Sequence, residues 1–162
     1  MSKGTDNKIL RMLSKPVKKI DRAIKNLVED MIDTMRDAEG LGIAAPQVGV
    51  NLRIYIARLN YGTKNELIVP MINSHLSDKS HEMAVGEEGC LSIPGRFGTV
   101  ERHESLTVEY TDIKGKKHTL NLTGLNARIM QHETDHLDGT LIADKMKNEV
   151  SAEEMRKLRA KK

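Results

Sequence analysis

The sequence predicts an α+β domain with a largely antiparallel sheet. Three observations lead there: an apolar helical period early in the chain, a long middle stretch of two-residue alternation, and a second helical period near the end. Strands gathered between helices, rather than alternating with them, favour antiparallel pairing over βαβ units. The 162 residues are enough to close one hydrophobic core, and we expect a single catalytic domain over 1–162, with 149–162 as a basic C-terminal helix or tail.

The first helix is expected over 21–39. Ile20, Ile24, Leu27, Met31 and Met35 recur at steps of three and four, Asp21 can cap the start, and Gly40 stops it. A strand is expected from Leu52 to Leu59, an apolar run broken only by Arg53 and Arg58, and another from Glu66 to Ile72. Leu106–Thr111 and Lys117–Leu122 alternate apolar and polar residues, and Gly115 between them supplies a hairpin turn. The helical period returns from Leu125 to about Leu137. Ser151 and Glu154 form an S-x-x-E capping box that opens a short C-terminal helix.

Composition narrows the function classes. No apolar run approaches the roughly 20 residues that span a bilayer, so no membrane role is expected. The first fifteen residues lack the apolar core of a secretory signal. One cysteine excludes an internal disulfide and suits a reducing compartment. Residues 1–25 carry eight Lys/Arg against two Asp/Glu, and residues 145–162 carry seven against three, leaving an acidic body between basic ends. Basic ends of this kind can meet a polyanion such as RNA or serve as solvated helix ends.

The chemistry is concentrated in Gln131-His132-Glu133-Thr134-Asp135-His136. On a helix His132 and His136 project from one face, one turn apart, so two imidazoles reach one cation. Glu133 is offset around the helix and can lie beside the cation as a general base without binding it. Leu125 and Ile129 extend the same face backward, so apolar packing grades into the site. The lone thiol, Cys90 in Glu88-Gly89-Cys90-Leu91-Ser92, is the candidate third ligand; two His and one Cys leave one position open for water. In Gly40-Leu41-Gly42-Ile43-Ala44-Ala45-Pro46-Gln47, small residues permit close backbone approach, and Gln47 can present its amide N–H to a developing oxyanion.

These segments, GLGIAAPQ, EGCLS and QHETDH, resemble in order and spacing the three signature motifs of the peptide deformylases, and the likeness runs from about Ile9 to Asp144. The chain departs from the family pattern in a short polar start and in Ile68-Val69-Pro70-Met71-Ile72-Asn73. The resemblance implies a compact fold with the H-E-x-x-H helix at its centre, one divalent metal ion per chain held by Cys90, His132 and His136, and a formylmethionyl nascent peptide as substrate. It implies Fe²⁺ as the physiological ion, with Zn²⁺, Ni²⁺ or Co²⁺ able to occupy the site. It adds the backbone N–H of Leu91 to the oxyanion donors and places Leu41, Gly42, Leu125 and Ile129 along the methionine pocket. It implies bacterial cytoplasm, with an organelle of bacterial-type translation as the lesser alternative, and ribosomal RNA as a partner for the basic C-terminal tail. A general H-E-x-x-H metallopeptidase would not need the Cys90 and Gln47 segments.

Overall fold

A computed structural model describes residues 1–159. Helix α1 (Arg22–Asp37) starts where expected, with the Asp21 carboxylate accepting the Ile24 N–H at 3.1 Å. Its apolar stripe buries Val28, Met31 and Met35. The exit differs from the expectation. Glu39, not Gly40, takes the left-handed backbone conformation (φ 52°), while the Gly40 N–H closes the turn onto the Met35 carbonyl at 2.9 Å. Gly40 is needed for proximity instead, because a β-carbon there would stand 3.1 Å from Leu91 Cδ1.

Eight strands follow: β1 (Gly42–Ala44), β2 (Ile54–Leu59), β3 (Leu67–Ser77), β4 (Met83–Cys90), β5 (Ile93–His103), β6 (Ser105–Thr111), β7 (Lys117–Thr123) and β8 (Lys147–Ser151). They form two antiparallel sheets, one of five strands in the order β1-β2-β3-β6-β7 and one of three in the order β4-β5-β8. Helix α2 (Gly124–Leu137) lies on one face of the larger sheet and α1 on the other. This explains the unbroken apolar run of β2: Ile54 and Ile56 join Met31 and Met35 on the α1 side, while Tyr55 and Ala57 join Met130 and Leu137 on the α2 side. A strand covered on both faces has no polar side to alternate. Leu52 lies ahead of the strand, where it only bridges to Lys15.

The β4–β5 hairpin and β1 lie outside the elements expected above. The C-terminal tail also differs at its start, since residues 149–151 complete β8 against β5. Helix α3 (Ala152–Arg159) then opens on the expected box, with Ser151 N–H donating to Glu154 Oε2 at 2.8 Å and the Glu154 N–H to Ser151 Oγ at 3.3 Å. Residues 160–162 of the tail lie outside the described residues. Among the described residues no helix is long and apolar enough to cross a membrane.

Candidate metal centre

Two sequence-distant segments converge on α2. The β4–β5 turn brings Cys90 to the helix, and one ligand atom from each of Cys90, His132 and His136 falls within 4.8 Å of the others. Cys90 Sγ is 3.2 Å from His136 Nε2, close to the edge of a tetrahedron of soft and nitrogen donors around a cation. His132 is aimed from behind, its Nδ1 lying 2.9 Å from Glu88 Oε2. That hydrogen bond leaves the other ring nitrogen for the site.

Glu88 is itself fixed. Arg102 donates to both its oxygens at 2.9 Å, and Arg128 adds a third bond at 2.8 Å. Burial opposes ionisation of Glu88, but its hydrogen bonds with Arg102 and His132 outweigh burial and hold the carboxyl far below the usual range. Arg102 continues outward to Asp135, and Asp135 to Lys145.

The electrostatics fit a cation. Burial opposes charge on His132, yet hydrogen bonds to Cys90 and Glu88 prevail and draw its pKa well above the ordinary imidazole value. Burial, aided by the charges of His132 and Arg102, holds His136 well below that value. The pocket thus favours positive charge at His132 beside a neutral His136 ring, in keeping with a cation held between these side chains.

Glu133 is 3% exposed, and its Oε2 has no hydrogen-bond partner. Burial pushes its carboxyl up to about 7, a suitable value for proton exchange near neutrality. Gly42 makes room for it, because a β-carbon at that position would collide with the Glu133 carboxylate. Gln47 sits on the short 3₁₀ turn after β1. Its Oε1 accepts the Ala44 N–H at 2.9 Å, which turns Nε2 toward Ser92 Oγ at 3.1 Å and Cys90 Sγ at 3.6 Å.

Cys90, His132, Glu133 and Gln47 open onto a cleft of about 610 Å³, bordered by Leu41 and Gly42 on one side, Cys90 and Leu91 on the other, and Leu125 and Ile129 of α2, while His136 lies behind the lining. The two α2 residues differ. Ile129 is 5% exposed and belongs to the core, whereas Leu125 is 47% exposed, so the apolar stripe leaves the core and becomes cleft wall.

Three contributors were not singled out from the sequence. Arg128 ties α2 to Glu88 and to the Ala84 and Val100 carbonyls. Ser92 is fully buried as the acceptor for Gln47. Gln131 bonds both the N–H and the C=O of His103, at 3.0 and 2.9 Å, and so locks α2 to β5. Ser92 and Gln131 stand inside the quoted motifs, which was the available signal; Arg128 has none.

A family model described as polypeptide deformylase matches residues 4–152. The chain belongs to the polypeptide deformylase family. It is 44% identical over 143 residues to a peptide deformylase of Chlorobium phaeobacteroides, covering 87% of this chain and 76% of that protein. The crystal structure of the Thermotoga maritima deformylase superposes with a TM-score of 0.84 at 38% identity, covering 91% of this chain and 96% of the other. A deformylase from Synechococcus elongatus, solved with actinonin, superposes with a TM-score of 0.85 at 36% identity, covering 91% and 80%. A deformylase from Acinetobacter baumannii, solved with Met-Ala-Ser, gives 0.81 at 36% identity, covering 90% and 96%. The α+β fold is that of the deformylases, and the reaction is metal-dependent hydrolysis of the N-formyl group from nascent polypeptides.

Proposed function

We propose that Cys90, His132 and His136 hold the catalytic cation and that Glu133 carries the proton. The convergence of three ligand atoms within 4.8 Å, beside a buried carboxylate with an unpaired oxygen, is the observation that supports this most. When bound there, a divalent cation supplies the positive charge that acidifies water and polarises the formyl carbonyl. Glu133 takes a proton from the attacking water and returns it to the methionine nitrogen as the C–N bond breaks and formate leaves. Gln47 Nε2 and the Leu91 N–H donate to the oxygen that gains charge on the way.

Leu41, Gly42, Leu125 and Ile129 receive the methionine side chain in this reading, since all four line the cleft. The rest of the peptide lies extended between β1 and β4, each an edge strand of its sheet, and adds main-chain hydrogen bonds. The Met-Ala-Ser complex of the Acinetobacter baumannii relative lends support to a short peptide in this cleft. We assign Fe²⁺ as the cellular ion, with Zn²⁺, Ni²⁺ or Co²⁺ able to replace it, because a thiolate with two imidazoles suits all four. We also assign residues 1–162 to one catalytic unit of the bacterial cytoplasm, and contact with ribosomal RNA to the basic C-terminal tail, 149–162.

The test is formate release from formyl-Met-Ala-Ser, read beside metal content. Glu133→Ala should keep its metal and lose about a thousandfold in turnover, whereas Cys90→Ala should lose the metal. Near-normal deformylation by Glu133→Ala would refute the proton-carrier role.

A further inference from the structure

We infer that a lysine-lined hollow on the α1 side of the larger sheet docks the protein on the phosphate backbone of base-paired RNA. The choice of RNA among polyanions rests on the deformylase reading, because a substrate that is a chain still being made is met where RNA is the dominant anion. The hollow shares no residue with the catalytic cleft or with the C-terminal tail. It encloses about 420 Å³ where the segment ahead of α1, the irregular stretch of β3 at Ile72 and Asn73, and the β6–β7 turn meet. Lys18 lines it from the segment, Lys25 from α1 and Lys114 from the turn, and no carboxylate lines it. Asn73 fixes its shape, accepting the Val17 N–H and donating to the Val17 carbonyl, each at 2.8 Å.

The charge around the hollow is one-sided. Residues 15–25 and 111–117 hold eight Lys/Arg against two Asp, a larger excess than the +3 of the whole chain. All eight cations are exposed, and none forms an ion pair among the described residues. Both carboxylates are engaged elsewhere. Asp21 caps α1 through the Ile24 N–H, and Asp112 accepts the Lys114 and Lys116 N–H groups at 2.8 and 2.9 Å and pairs with His118 at 2.6 Å. Cations converging from separate segments without counter-charge repel one another, and bound phosphates relieve that repulsion.

The lining also decides which polyanion fits. Its apolar residues are recessed, Val17 and Ile72 being buried and Ile20 and Ile113 half-buried, so it offers nothing to insert into a lipid surface. Neither stretch carries Phe, Tyr or Trp, so unpaired bases find no stacking platform. The contact is therefore to the phosphates of a duplex, whatever its sequence. Val17 and Ile72 belong to the core under α1. Lys25 stands near the start of that helix and Glu39, on the cleft, just past its end, about 20 Å apart at the rise of an α-helix. RNA seated on the hollow thus leaves the cleft open to a peptide N-terminus.

The experiment measures binding of the full, metal-loaded chain to short fluorescent RNA duplexes of two unrelated sequences, by anisotropy between about 50 and 200 mM NaCl. Both duplexes should bind alike, with affinity falling steeply as salt rises. The Lys18→Gln/Lys25→Gln/Lys114→Gln variant should bind about tenfold or more weakly, with a salt slope shallower by about one unit per lysine. Its formate release from formyl-Met-Ala-Ser should equal that of the unaltered protein, which also shows that the variant is folded. Undiminished affinity in the triple variant would place the contact on the C-terminal tail and overturn the proposal. Tighter binding of the unaltered protein to polyglutamate or to phosphatidylglycerol vesicles than to the duplexes overturns it too. No formate from the unaltered protein overturns the deformylase reading instead.

Discussion

At the residue scale, the site depends on space as much as on donors. Glu133 lies where a side chain on Gly42 would otherwise sit, so Gly42→Ala must push the carboxylate aside or shift β1. We expect Gly42→Ala to bind metal normally and to lose between about tenfold and a hundredfold in kcat, consistent with displacement of a general base by roughly 1 Å. Metal analysis beside formate release checks this; unchanged kcat would mean that the carboxylate has no fixed station. The three side chains proposed as ligands could be picked out in the sequence, and the fold brings them together, because i, i+4 histidines on a helix admit few other shared targets and only one thiol was available. Arg128 was not legible. A lone arginine beside apolar residues reads as a solvated helix position, and only the fold reveals that it reaches across to β4 and β5.

At the scale of elements, periodicity was informative wherever an element packs with its own side chains. α1, α2 and the β6–β7 hairpin follow it closely. The β4–β5 hairpin does not, because its packing surface is borrowed. Gly86 leaves room for the Arg128 guanidinium, Gly89 for the Phe97 ring and Gly98 for the Met146 side chain, so three positions that would have shown alternation carry no side chain. The start of α1 offers a local check. Asp21→Ala removes the carboxylate that accepts the Ile24 N–H and should lower stability by about 1 kcal/mol in urea unfolding, with kcat unaltered. No loss would show that water caps this turn equally well.

For the whole molecule, the candidate metal centre is the junction of two sheets. Cys90 ends β4 of the smaller sheet, the histidines ride on α2 over the larger one, and Gln47 follows β1 of the larger sheet. A cation that binds only the folded arrangement adds its binding free energy to stability, about 4 kcal/mol at a thousandfold excess over Kd. Chelation should therefore lower the unfolding midpoint by about 10 °C, as calorimetry of loaded and stripped protein would read. Equal midpoints would mean that the sheets are held in place without the ion. The division into two sheets was not legible in the sequence, because both are antiparallel and no composition break separates them. The chain carries a single cysteine, and it stands at this junction. Any reagent that alkylates sulfhydryls therefore has one target in the entire polypeptide, and on the proposed ligand set the extent of labelling should gauge occupancy, low with the ion in place and high once it has gone.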